Sequence, residues 1–150
     1  MPVPDVFREG LARGWKTYSG AQLTHDLTLE ADVAIIGSGA GGGTTAEILS
    51  AAGYKVLLIE EGPLKTSSDF KMLEDQAYSS LYQEGIGRMS KDGAITILQG
   101  RAVGGTTLIN WTSSFRTPEP TLEHWAKEHA VKGHSAAEMA PWFAKMEQRL

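Results

Sequence analysis

The chain has 150 residues, with 14 Lys and Arg against 18 Asp and Glu, a net charge of -4 and a pI near 5.5. That balance provides no broad basic field for a polyanion, so no nucleic-acid partner is expected. Cysteine is absent, which excludes disulfides, thiolate metal sites and cysteine nucleophiles. Hydrophobic residues at 41% and charged residues at 21% describe an ordinary globular chain whose length predicts one core and one domain. No run reaches the roughly 18 apolar residues of a membrane span, and the N-terminus lacks an apolar signal region, so a cytoplasmic location is the default expectation.

In chain order, residues 5–15 predict a short amphipathic helix, with Asp5 as its N-cap and Val6, Phe7, Leu11 and Trp15 as apolar contacts. Gly10 and Gly14 weaken it. The stretch from Ala31 to Glu60 carries the strongest signal. A strand-like ADVAIIG leads into the loop Gly37-Ser38-Gly39-Ala40-Gly41-Gly42, a helical run follows, and YKVLLIE ends in a carboxylate. This is the pattern of a dinucleotide-binding βαβ unit. Gly37 permits the tight turn, Gly39 lets backbone approach a diphosphate, and Gly42 lets the helix pack closely on the sheet. From Gly42 the steps to Ala46, Leu49 and Gly53 lay a small or apolar stripe against the strands. Glu60, 23 positions after Gly37, is the candidate acceptor for an adenosine ribose, with Glu61 as its rival.

Gly62-Pro63 breaks the chain, and Ser67-Ser68-Asp69 predicts the cap of a helix running to about Tyr82, with Phe70, Leu73, Ala77 and Leu81 on one face. Lys91-Asp92-Gly93 is turn chemistry, and the alternating Ile95 and Ile97 of AITILQ predict a strand in a hairpin or crossover. A second glycine-rich loop spans Gly100 to Asn110. It is dense in donors: backbone N–H groups at paired glycines, the Arg101 guanidinium, and the side chains of Thr106, Thr107 and Asn110.

Pro118 and Pro120 introduce a helix bearing Leu122, Trp125, Ala126 and His129, with Trp125 expected in the core. Ser135 and Glu138 form a capping box for a last helix, where Pro141 predicts a kink or a late start. That helix reaches Leu150 with its apolar face unbroken and no glycine or asparagine beyond it, the pattern expected of a chain that continues. His124, His129 and His134 recur every five residues and His25 stands alone, which is not the spacing of a zinc pair. No metal site is expected, and no GxSxG elbow is present.

Taken together, GSGAGG through VLLIEEGP and the later GRAVGGTTLIN resemble the glucose-methanol-choline (GMC) flavoprotein oxidoreductases, over about Asp32 to Leu150. The continuation NWTSSFRTP resembles the branch that contains long-chain alcohol oxidases. The resemblance implies an α/β, Rossmann-like FAD-binding domain, incomplete at the C-terminus, with residues 1–30 as an N-terminal extension and residues 31–150 as the first part of that domain. It implies FAD with its adenine half held by Gly37, Gly39, Gly42 and Glu60. Arg101, Gly104, Gly105 and Thr106 would then lie near the diphosphate, and Asn110, Trp111 and Thr112 along the isoalloxazine edge.

Some family members tether FAD through a histidine directly before the Asn. Ile109 stands there in this chain, so the cofactor is expected to be noncovalent. The implied reaction removes the hydroxyl proton of an alcohol by a base while hydride passes to flavin N5. The residues that act on the alcohol are expected beyond residue 150, so residues 1–150 alone are expected to be inactive. The substrate would be a small-molecule alcohol; its identity and the electron acceptor stay open. Two other readings remain at this point: an NAD-type domain, because Glu60 suits either ribose, and a flavin-binding module or lyase without a net redox role.

Overall fold

The computed structural model describes residues 4–150. They form two compact units, one ending at Thr112 and the other running from Ser113 to Leu150. In the first unit, α1 (Val6–Ala12) begins at Asp5, whose side chain accepts a hydrogen bond from the Arg8 N–H, as its sequence predicts. Asp5 does more than cap. Its carboxylate also accepts from the hydroxyls of Thr66 and Ser68 at 2.6 Å each and from the Ser68 N–H at 3.0 Å. Arg8 completes the clamp by donating to Asp69 at 2.8 Å. Burial pushes the Asp5 carboxyl up, but these hydroxyl and N–H donors outweigh it and hold the group far below the usual carboxylate range.

The βαβ unit follows. Strands β1 (Val33–Ile36) and β2 (Val56–Ile59) pair in parallel with Val33 opposite Val56 and Ile36 opposite Ile59, and α2 (Ala40–Ala51) makes the crossover. Parallel neighbours require such a connection, because a tight hairpin turn would reverse the chain. Along α2 the half-buried positions are Gly42, Gly43, Ala46 and Leu49, the stripe its spacing predicts. Gly53 does not belong to that stripe: the helix has already ended, and Gly53 turns the chain with φ 92°.

Three expectations are corrected further on. The helix predicted from Ser67-Ser68-Asp69 starts only at Glu74, giving α3 (Glu74–Leu81). The side chains of Ser68 and Asp69 are engaged with Asp5, Thr66 and Arg8 instead of capping, and Met72 adopts φ 57°, which breaks helical continuity. The AITILQ segment is not a strand. Only the isolated bridge between Met89 and Thr96 forms there, with Ser90 N–H donating to the Ile95 carbonyl at 2.8 Å around the Asp92-Gly93 turn. Nor is there one large core: among the described residues the buried hydrophobics are Leu81, Ala102 and Leu122, while Ile36 at the end of β1 is 88% exposed. Two strands and one crossover helix leave much of their apolar surface uncovered.

In the second unit, α4 (Glu119–His129) follows Pro118 as N-cap and carries Pro120 in its first turn, where the lost N–H has no helical partner anyway. Leu122 is its buried residue; Trp125, expected inside, is 39% exposed. Helix α5 (Ala136–Glu147) opens with the Ser135–Glu138 capping box and runs continuously across Pro141, rather than starting there. Arg116 donates twice to the Glu147 carboxylate, each time at 2.7 Å, and lies 6.0 Å from the Phe143 ring centroid. His124 and His129 meet edge to face at 5.3 Å, and His134 Nδ1 lies 2.7 Å from the Lys132 carbonyl oxygen.

Candidate functional site

The site is built where β1 hands over to α2. Gly37 takes φ 90°, a left-handed conformation that favours glycine, and its N–H donates to the Ile59 carbonyl at 2.8 Å, locking the turn to the end of β2. Gly39 is the N-cap of α2 and, having no side chain, supplies no capping hydrogen bond. The first-turn N–H groups of α2 therefore face outward as donors at the positive end of the helix dipole. A Cβ built on Gly39 or Gly41 would meet nothing within 4 Å, so the space before them is open. Gly42 is different: a Cβ there would lie 1.9 Å from the Gly37 carbonyl oxygen and 3.4 Å from Ile35. This is the close helix–strand approach its sequence position predicts.

Glu60 leaves β2 and turns inward. Its Oε2 accepts from the Ser38 N–H at 2.9 Å and from the Ser38 hydroxyl at 2.5 Å, while Oε1 accepts from the Gly62 N–H at 2.9 Å. Burial raises the Glu60 carboxyl, but the Ser38 hydroxyl and the N–H groups of Gly62, Ser38 and Glu61 prevail and hold it below the usual range. It is an ionised, acceptor-only group at neutral pH. Glu61 points elsewhere and pairs with Arg101, Nε to Oε2 at 3.4 Å, with both side chains about half exposed. The two neighbouring carboxylates thus serve different partners, and only Glu60 contacts the first glycine loop.

The second glycine loop lies directly against the first. Gly104 N–H donates to the Ser38 hydroxyl at 3.0 Å. Gly105, at φ 55°, approaches so closely that a Cβ on it would lie 2.8 Å from the Gly39 Cα. Gly62 makes a similar approach, where a Cβ would fall 2.4 Å from the Ala102 nitrogen, and Val103 N–H donates to the Pro63 carbonyl at 3.1 Å. Ala102, fully buried, is the anchor of this contact. Within the loop, Thr106 Oγ1 accepts from Gly100 N–H at 3.2 Å, and the Thr107 hydroxyl donates to the Gly104 carbonyl.

The structure therefore brings Gly37, Ser38, Gly39, Ala40, Gly41, Gly42, Glu60, Gly104 and Gly105 together, with Arg101 and Glu61 paired beside them and Thr106 in the second loop. Asn110, Trp111 and Thr112 bond within their own segment: Asn110 Oδ1 accepts from the Thr112 N–H at 3.0 Å, and the Thr112 hydroxyl donates to the Trp111 carbonyl at 2.6 Å. Trp111 is 84% exposed, and it and Thr112 hold φ of 58° and 59°. Sequence reasoning missed Gly62, which it read as a simple chain break. The signal was there, in a glycine immediately after two strand-end carboxylates. It also missed the clamp around Asp5, whose partners lie about 60 residues away and leave no local pattern.

Residues 78–150 match the family model for GMC oxidoreductases. A long-chain-alcohol oxidase of Arabidopsis thaliana is 40% identical over 106 residues, covering 71% of this chain and 15% of the relative. An oxygen-dependent choline dehydrogenase of Pseudomonas savastanoi is 30% identical over 130 residues, covering 80% of this chain and 23% of that enzyme. Among solved structures, pyridoxine 4-oxidase from Mesorbium loti aligns with a TM-score of 0.53 at 22% identity, over 75% of this chain and 23% of its own. That likeness establishes a shared fold, α/β and Rossmann-like. The chain thus spans about a quarter or less of each of these proteins.

Proposed function

Because the chain belongs to the GMC oxidoreductases, we propose that it forms the FAD-holding part of a flavoprotein that oxidises the CH–OH group of an alcohol. The observation that carries the reading is the convergence of the two glycine loops, with Gly105 seated on Gly39 and Gly104 bonded to Ser38. A lone Gly-rich turn serves many folds, but two loops sharing one backbone contact, before an uncapped helix end, suit an extended diphosphate. A simple NAD fold gives the second loop no role.

The residues present fit FAD. Open space before Gly39 and Gly41 admits phosphate oxygens to the first-turn N–H groups of α2, and any side chain on Gly105 would fill that approach. Arg101 adds a guanidinium at the rim that can exchange Glu61 for phosphate, since their pairing at 3.4 Å is half exposed and weakly held. Glu60 accepts at least three hydrogen bonds from the protein. Of roughly four lone-pair positions on a carboxylate, this leaves at most one for a ribose hydroxyl. Asn110, Trp111 and Thr112 would reach the flavin edge. When bound, FAD would supply the electron sink that takes hydride from the alcohol carbon. Ile109 offers no nucleophilic atom for a covalent tether, which supports noncovalent binding.

Residues 31–150 would serve as the first part of the FAD domain, with residues 1–30 preceding it. The relatives named above act on a long-chain alcohol and on choline, so the choice among alcohols is proposed to lie outside this segment. No helix among the described residues is long and apolar enough to cross a membrane. The test is to express the chain at the full length of its reading frame, purify it, record its visible spectrum and add candidate alcohols without oxygen. A yellow protein bleached by an alcohol, releasing intact FAD on denaturation, supports the reading; a colourless protein that takes up no FAD overturns it.

A further inference from the structure

Ser38 is 6% exposed, and its hydroxyl sits between two groups far apart in sequence. It donates to Glu60 Oε2 at 2.5 Å and accepts from the Gly104 N–H at 3.0 Å. A serine hydroxyl has one proton and two lone pairs. With the proton committed to an acceptor-only carboxylate, the oxygen is left to accept, and the Gly104 N–H is the donor that meets it. The result is a directed chain from Gly104 N–H through Ser38 Oγ–H to Glu60, in which each bond polarises the next. We infer that Ser38 is the joint that holds the second glycine loop in register with the first, so that the carboxylate on the ribose side and the loop on the diphosphate side act as one unit.

This deepens the flavin-dinucleotide reading and rests on it for its effect on affinity. Gly104, at φ 102°, caps the short 3-10 turn Gly105–Leu108, so fixing its nitrogen fixes the start of the turn that carries Gly105 and Thr106. Packing of Gly105 on Gly39 limits approach along one direction, but a backbone contact between glycines has no side chain to resist sliding. The Ser38 hydroxyl supplies the directional element. Ser38 is accordingly a positioning residue, acting through Gly104 and Glu60.

The experiment compares the protein with S38A, which removes the hydroxyl, and with S38C, which keeps a single γ atom but makes it larger and a weak donor and acceptor. Amide hydrogen exchange is followed without ligand, and FAD affinity is measured by titration. The joint predicts faster exchange confined to residues 100–108, unchanged protection in α2 and β2, and a Kd for FAD raised about tenfold, the scale of one charge-assisted hydrogen bond. A merely structural role would speed exchange throughout the βαβ unit. Folded variants with unchanged exchange at residues 100–108 overturn the inference, as does global unfolding of both. If the unmodified protein binds no FAD, the flavin reading fails, while the exchange comparison still decides whether the joint exists.

Discussion

Gly41 and Gly42 are adjacent in the first turn of one helix, yet alanine at the two positions should shift stability in opposite directions. Intrinsic propensity favours alanine over glycine inside a helix by about 1 kcal/mol, and that gain is available at Gly41, where an added Cβ meets nothing within 4 Å. At Gly42 the same Cβ would lie 1.9 Å from the Gly37 carbonyl oxygen. Ordinary contact lies near 3.5 Å, so helix and turn must separate by roughly 1.5 Å. The Gly37 carbonyl is backbone, held by the Gly37 N–H bond to Ile59, and cannot swing aside as a flexible side chain would. Overpacking of this kind costs about 1–3 kcal/mol or more, which exceeds the propensity gain. Thermal unfolding without added flavin should therefore show G41A raised by a few degrees and G42A lowered by about 2–4 °C for each net kcal/mol lost. If G42A were stabilised as much as G41A, the close helix–strand approach would be wrong.

Gly105→Ala combines a left-handed backbone with a Cβ 2.8 Å from Gly39, so FAD affinity measured by titration should fall by about five- to thirtyfold, the equivalent of the roughly 1–2 kcal/mol cost of that backbone alone. Glu60 has a folded-state pKa below its ordinary value of 4.5, so its stabilisation is fully present above that value and is lost as pH falls through the lowered pKa. Acid unfolding of E60Q should accordingly be less steep below pH 4.5, followed by circular dichroism, and E60Q should be less stable at neutral pH because an amide has a single oxygen to accept from Ser38 and Gly62. Asp5→Asn should release α1, read as faster proteolysis within residues 13–30 while protection of β1 and β2 is unchanged. Residues 1–150 alone should show no alcohol-dependent flavin reduction.

What was legible in the sequence was whatever depends on neighbours along the chain. Asp5, Ser135 with Glu138, and Pro118 mark helix starts through bonds that reach three or four residues, and each does so in the structure. The Gly37-x-Gly39-x-x-Gly42 turn is local in the same sense. The failures share a cause as well. Ser68 and Asp69 have good capping chemistry, but a carboxylate and a guanidinium from α1 claimed them. AITILQ alternates like a strand, but within the described residues only one isolated bridge pairs it, and alternation without a partner makes no sheet. Trp125 follows helical spacing, yet spacing says which face it shares and not whether anything covers that face.

The candidate site falls between these cases. Each glycine loop was visible alone, and Glu60 stood out by its position after β2, but the mutual contact of the loops spans 66 residues between Ser38 and Gly104. Closing a loop of that length is not the obstacle, since each doubling of length adds only about 0.6 kcal/mol. The contact depends instead on two separate omissions of a side chain, at Gly62 and Gly105, each facing backbone from the other loop or its flank. Gly105 has the left-handed φ that would betray its need for glycine locally; Gly62 has no such backbone requirement. Its glycine is explained by what approaches from elsewhere in the chain. It follows that alanine at Gly62, which would place a Cβ 2.4 Å from the Ala102 nitrogen, should disturb the second loop while leaving α2 intact. Faster hydrogen exchange confined to residues 100–108 in G62A would bear this out; protection equal to the unmodified protein would mean the loops are held together by something other than backbone proximity.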